Sequence, residues 1–548
     1  MAKLGLYLNT IRHLKPIQVY GRVLYRLRDP RPDLRAAPPL RPTSPGEFVA
    51  GAERSASMVG PLAFRFLNET RSLAEHGWDD PAVAKLWRYN LHYFDDLNAC
   101  NADRRSDWHR EVLERWVQDN PPARGTGWEA YPASLRIVNW IKWALRGNRL
   151  PDESVASLAV QVRWLSKRLE THLLGNHLFA NAKALVYAGL YFDGPEATDW
   201  LDRGMSILAD QVPVQILPDG AHFELSPMYH ALALEDVLDL CNAATAFADG
   251  IPAPWQPAVG RLRSVIGPMR DWLATMCHPD GEIGFFNDAA IGIAPSPGQL
   301  EAYAKRLGFP ALGTARSPIT RLGASGYIRI EQGPAVAMLD VGLIGPDYLP
   351  AHAHADTLSF ELSLFGQRVL VNSGTSLYAA GAERLRQRST AAHNTVLVDH
   401  ADSSEVWSAF RVARRARPVG LKVDEGGAPQ ICCAHDGYRR MPGRPTHRRA
   451  WRFEPGALSV IDRIDGRFQT AQARFHLHPT VIASPPSDGG IGLELCGGRR
   501  ARLRAEGGTL RVEDSTWHPE FGLRVPTRCV VADFEGPNLC TTLSWDAT

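Results

Sequence analysis

The chain has 548 residues, too many for one ordinary compact core, so two large domains are expected. Hydrophobic residues make up 45% and charged residues 22%, the balance of a globular protein, and 61 basic against 59 acidic side chains exclude a strong global field for nucleic acid or an anionic membrane. Eight scattered cysteines without a CxxC pair exclude a zinc ribbon, a thioredoxin-type site and a disulfide scaffold.

In chain order, residues 7–28 have the spacing of a basic amphipathic helix, which either packs on its own domain or meets a membrane surface. The apolar run LGLYL at its head falls short of the about 7–15 apolar residues of a secretory signal. Nowhere is there a run of about 18 apolar residues, so no spanning helix is expected. Without an export signal the cytoplasm is the default compartment. Residues 29–46 are rich in Pro and Arg and read as an irregular linker, so residues 1–60 form a helix-and-linker lead-in.

Residues 61–316 carry apolar side chains at three- and four-residue spacing. The pattern predicts helices over 155–174, 177–192 and 227–247, with breaks such as Asp193-Gly194-Pro195 and Pro218-Asp219-Gly220. Strand-like alternation is scarce and no fixed-period repeat occurs, so a helical toroid or solenoid is expected rather than a consensus array. From 317 to 548 short alternating runs dominate, with turn residues about every eight to twelve positions, the pattern of an antiparallel β-sandwich. Residues 358–372 read as a hairpin turning near Gly366-Gln367.

Three clusters hold candidate chemistry, and sites often lie at domain interfaces. Gly175-Asn176-His177 opens a helix, where Asn176 either caps free amides or faces the mouth of the helical domain. In the run from Asp219 to His230, Ser226 and Pro227 mark a helix start, which places Tyr229 and His230 in its first turn. The positive potential of that turn would favour a tyrosinate; the plainer reading of Tyr229 is a half-buried aromatic. His352, His354 and Asp356 alternate with alanines and would share one face of an extended chain. His393 lies beside a later strand and could share a zinc with His354 and a carboxylate.

Together the segments NLHYFDDL (90–97), WEAYPASLRIVNW (128–140), GNHLFANAKAL (175–185), DGAHFELSPMYH (219–230), HAHADTLSFEL (352–362) and STAAHNTVLVD (389–399) resemble the heparinase II/III and alginate lyase superfamily. The resemblance implies an N-terminal (α/α) toroid joined to a C-terminal antiparallel β-sandwich. It implies an acidic, uronate-containing polysaccharide as substrate, cleaved by β-elimination. Asn176 matches the family's carboxylate-neutralising position, Tyr229 its catalytic tyrosine and His352 its catalytic histidine. Tyr229 is then the acid, and whether it or His352 is the base depends on the geometry of the leaving group. His177 would support substrate binding, and Arg388 would pair with a carboxylate or sulfate. Trp128, with Trp87 and Trp140, lies near the matched motifs, either stacking on sugar or filling the toroid core. Zinc-binding relatives place ligands at positions that look like His354, Asn372 and His393. Asn372 stands where a carboxylate is expected and is a poor zinc ligand, with Asp356 a conceivable substitute. The resemblance also brings a periplasmic or secreted location as the alternative to the cytoplasm. Two rival functions are a glycoside hydrolase using a pair among Asp219, Glu224 and Asp236, and a non-catalytic glycan-binding or assembly protein.

Overall fold

The computed structural model describes residues 2–42, 48–313 and 317–546. Its N-terminal half is helical and its C-terminal half is built from antiparallel sheets, the toroid-and-sandwich architecture. The longer helices of the toroid are Ala130–Leu145, Asp152–Lys167, Gly175–Tyr191, Pro195–Gln215, Pro227–Ala246 and Gln256–Thr275. Their apolar faces enclose a core rich in tryptophan, in which Trp87, Trp116, Trp140 and Trp143 are buried. Among the described residues no helix is long and apolar enough to cross a membrane.

The sandwich half holds an eight-stranded, a five-stranded and a four-stranded sheet among the described residues. They meet in one core that includes Phe360, Trp451 and Phe475. The hairpin expected over 358–372 forms from Phe360–Leu364 and Gln367–Leu370. Phe365 and Gly366 turn it with φ of 54° and 79°, the left-handed pair that a two-residue hairpin loop requires.

Several boundaries differ from the sequence expectation. The single helix over 7–28 is two helices, Ala2–Ile11 and Pro16–Leu27, because Pro16 has no amide to continue the first and starts the second. The helix expected over 155–174 stops at Lys167. The division at residue 60 cuts a small antiparallel sheet of Met58–Gly60, Ala63–Phe66 and Glu69–Ser72, in which Gly60 pairs with Ala63. Strands of three or four residues are too short to show alternation, and for that reason the pattern hid them. The linker runs extended over the toroid, where the Arg41 amide donates to Tyr191 O at 2.8 Å.

Candidate active site

A cleft of about 1830 Å³ opens between the toroid and the sandwich. Asn176, His177, Glu224 and Tyr229 line it from the helical side, and Tyr348, His352 and Tyr378 from the sandwich side. The helix from Gly175 brings the first two there. Leu174 and Gly175 both take left-handed backbone, with φ of 64° and 57°. A Cβ on Gly175 would lie 2.5 Å from Leu349 Cδ2 and 3.0 Å from Glu224 Oε1, so glycine lets both domains close on this corner. Leu174 offers the helix no side-chain cap; the Glu224 carboxylate accepts from the Asn176 backbone amide instead, and Asn176 itself lines the cleft. His177 Nδ1 lies 3.1 Å from Glu170 Oε1 and its ring stacks on Tyr131 at 4.4 Å. Burial disfavours its charge, but Glu170 outweighs burial and raises its pKa.

Ser226 caps the next helix as its sequence foretells, its Oγ accepting from the Tyr229 amide at 3.2 Å. Tyr229 then projects into the cleft, its hydroxyl 2.8 Å from that of Tyr378. Its ring lies on His352 with centroids 3.9 Å apart. Burial, and after it Tyr378, Asp288 and Glu224, push the Tyr229 phenol well above its ordinary pKa. The first-turn potential does not offset this, and the Tyr229 phenol is held in its neutral form. His230 turns away, its Nε2 2.8 Å from Met269 O.

The residue that organises the site is Asp288, which sequence reasoning missed. Its carboxylate takes His352 Nδ1 at 2.9 Å on Oδ2 and His354 Nε2 at 2.8 Å on Oδ1. Arg384 donates through Nη2 at 2.7 Å and also through Nη1, and Thr375 Oγ1 lies at 3.1 Å. Burial works against its charge, but Arg384 and the two histidines hold the carboxyl well below the usual range. The visible signal was one carboxylate in an otherwise uncharged run, Ile283 to Ile293. An ionised Asp288 can only accept, so His352 donates Nδ1–H to it and turns the Nε2 lone pair to the cleft. Glu224 stands across from that nitrogen, with Oε2 3.8 Å away. This oxygen is buried without a hydrogen-bond partner among the described residues. Burial raises the Glu224 pKa, and His352 and His177 offset only part of that.

His352, His354 and Asp356 do not share a face, because residues 351–357 form no strand but wrap around Asn287 and Asp288. His354 is buried behind His352 and pushed down to about 4 by burial. Asp356 accepts from the Asn287 amide at 3.1 Å, away from the other two. Arg388 does not line the cleft. It is buried and spends Nε and Nη2 on Ala353 O at 3.1 and 2.8 Å, so it braces the loop that carries His352. Trp128 is core rather than cleft: its Nε1 donates to Asn120 O at 3.2 Å, and its ring packs on Trp116. Trp87 and Trp140 are buried likewise. The aromatic side chains that line the cleft are others, among them Tyr89, Tyr131, Tyr348 and Tyr378 together with Trp407 and Phe410.

The candidate metal position does not suit zinc. His354 Nδ1 and His393 Nε2 are 3.2 Å apart. Asn372, however, spends Nδ2 on Phe285 O at 2.9 Å and Oδ1 on the Asn394 amide at 3.2 Å. Among the described residues no three His, Cys, Asp or Glu side chains converge as ligands. A neutral amide with both ends on backbone leaves two imidazoles without the further donors a zinc site needs. Of the carboxylates weighed for hydrolysis, Asp219 is taken up by the Ser325 amide and hydroxyl, and Asp236 pairs with Lys183 at 2.7 Å. Neither is free to form an acid–base pair with Glu224.

The sequence matches two descriptions of one family, Heparinase II/III N-terminus over residues 87–303 and Heparinase II/III-like, C-terminal over residues 314–546. A heparin-sulfate lyase of Bacteroides stercoris is 24% identical over 330 residues, 56% of this chain and 45% of that relative, so the match spans under half the relative's length. FtsZ-localized protein C of Caulobacter vibrioides is 26% identical over 457 residues, 75% of this chain and 73% of its own. Among solved structures, a crystal structure of heparinase III superposes with a TM-score of 0.68 at 19% identity, covering 86% of this chain and 79% of that one. With both family segments in order and the same two-part fold, the chain belongs to the heparinase II/III-like family.

Proposed function

We propose that this protein is a polysaccharide lyase that cleaves a uronate-containing acidic glycan by β-elimination in the cleft around His352. The observation that carries the reading is the stacked Tyr229–His352 pair, with His352 Nδ1 anchored on Asp288 at 2.9 Å and its other nitrogen facing the cleft. A base with its lone pair held in place and a neutral acid against it are the two groups an elimination needs.

The C5 proton of a uronate is weakly acidic until the charge on its carboxylate is masked. Asn176, a cleft-lining residue on the first turn of its helix, donates to that carboxylate in this reading, as an oxyanion site does. His352 Nε2 then takes the C5 proton. The electron pair becomes the C4–C5 double bond, the C4–O bond breaks, and the Tyr229 hydroxyl protonates the departing oxygen. Tyr378, bonded to Tyr229, orients that hydroxyl. His177, bonded to Glu170 and packed on Tyr131, lines the cleft as a further hydrogen-bonding group for the substrate. No step calls for a metal.

The test is near-ultraviolet absorbance of the unsaturated uronide across a panel of glycosaminoglycans, alginate and bacterial exopolysaccharides. Absorbance with wild type, and none with Tyr229→Phe or His352→Ala, supports the assignment. Activity that persists in both variants removes these residues from the chemistry. A second reading is glycan binding or assembly without turnover in the same cleft. Retention on an acidic glycan column with no absorbance and no new reducing ends would favour it.

A further inference from the structure

Nine of the twenty large hydrophobic side chains that stand exposed among the described residues fall between Leu4 and Leu27, a short stretch of the chain. In the helix Pro16–Leu27 the exposed residues are Val19, Tyr20, Val23, Leu24 and Leu27, the last 76% exposed. Their spacing puts them on one face. The opposite face is the docked one. Gln18 is buried and its Nε2 donates to Tyr348 O at 3.0 Å, and a Cβ on Gly21 would lie 3.1 Å from His172 Cβ.

The preceding helix repeats the arrangement. Leu4, Leu8 and Ile11 are exposed, with Leu4 at 64%, while Thr10 Oγ1 accepts from Trp407 Nε1 at 3.1 Å. Tyr7 completes the stripe and leans edge-on against Trp407 at 4.8 Å. A helix packed on a globular body normally turns its apolar face inward. Both helices here keep only a narrow docked face, with Thr10 and Gln18 bonded to the protein and Tyr25 packed on His172, and turn a broad apolar stripe to solvent.

Charge says what covers the stripes. The first 32 residues hold seven Lys and Arg against one Asp, while the whole chain is only +2. Arg12, Lys15, Arg22, Arg26 and Arg28 form no ion pair among the described residues, whereas buried arginines elsewhere, such as Arg163, Arg270 and Arg384, are paired. A second copy of this surface would meet like charge. A surface that is apolar in the middle and negative at its edge is the complement, and an anionic bilayer has that profile.

We propose that the two N-terminal helices are a peripheral membrane-docking element, laying their outward stripes into the interface of an anionic bilayer with the arginines among the headgroups. Tyr7, Ile11, Gln18 and Arg22 also line the cleft, so docking would hold the cleft mouth against the lipid surface. The proposal does not depend on the chemistry in the cleft.

The experiment is flotation of the full chain with phosphatidylcholine vesicles, with and without phosphatidylglycerol. Wild type should float with the anionic vesicles and be released by high salt. Val19→Ser/Val23→Ser/Leu27→Ser should lower the partition coefficient by at least about tenfold with no change in thermal midpoint, since these side chains are exposed. Arg26→Glu/Arg28→Glu should lose binding to anionic vesicles. Wild type that stays with the free protein, or a triple serine variant that floats like wild type, overturns the proposal. So does a dimer seen by light scattering that the triple variant abolishes while no vesicles are bound, because the stripe would then belong to a second copy.

Discussion

His352 and His354 stand two residues apart and bond the same carboxylate, yet they occupy different chemical worlds. The His352 side chain keeps 12% of its surface exposed and faces the cleft, while His354 keeps 1% and faces His393. Asp288 orients both. On the cleft side its grip leaves a lone pair available to a substrate, and on the buried side burial holds His354 neutral and inert. One buried carboxylate thus joins an imidazole open to the cleft to one closed off from it, and in the proposed reading access to the cleft separates their roles.

Removing the shared anchor should erase the difference. Asp288→Asn leaves Arg384 charged and buried without its partner, which costs about 3–5 kcal/mol. It also loosens His352, with a fall in turnover on the order of a thousandfold. Denaturant melts and the absorbance assay read the two effects, and a variant as stable and active as wild type would remove Asp288 from the centre of this account. The two histidines should then separate cleanly. His352→Ala should lower turnover by about a hundred- to ten-thousandfold with little change in melting. His354→Ala should cost about 2–3 kcal/mol through a buried cavity and an unpaired acceptor, and spare more of the activity. If both variants lost activity equally at equal stability, the contrast would fail.

The buried side offers a further test. With Asn372 in the third position, chelation should leave the thermal midpoint and activity unchanged, and metal analysis of the dialysed protein should find no stoichiometric zinc. The smallest effect concerns Glu224, which faces His352 from the opposite wall. Its folded pKa is raised above the ordinary 4.5 by burial. Below 4.5 the carboxyl is protonated in both folded and unfolded states, and its contribution to stability is fully present. As pH rises the unfolded state ionises first, so that contribution is lost as pH climbs through the folded value. Glu224→Gln should therefore raise the melting temperature at neutral pH by a few degrees at most, and the gain should vanish in acid. A gain that grew in acid would show the sign to be wrong.

Some of this molecule was legible in its residues. The change from three- and four-residue periodicity to alternation near residue 317 marks the two folds, because side-chain spacing follows directly from backbone geometry. Ser226-Pro227 marks a helix start, and Phe365-Gly366 falls in the expected hairpin turn, since both depend on local chemistry. The segments with Asn176, Tyr229 and His352 could be picked out because each sits in a distinctive local motif. What no local pattern carries is which side chain meets which across long separations. Asp288 reaches Arg384 and His352 from 96 and 64 residues away. Arg388 and Trp128 looked like cleft residues by neighbourhood, but packing turned them into a loop brace and a core aromatic. The outward stripes of the N-terminal helices are the same case. The sequence by itself determined that these helices are amphipathic, and only the tertiary structure decided which face was left over, because burial is settled by the shape of the body a helix lands on.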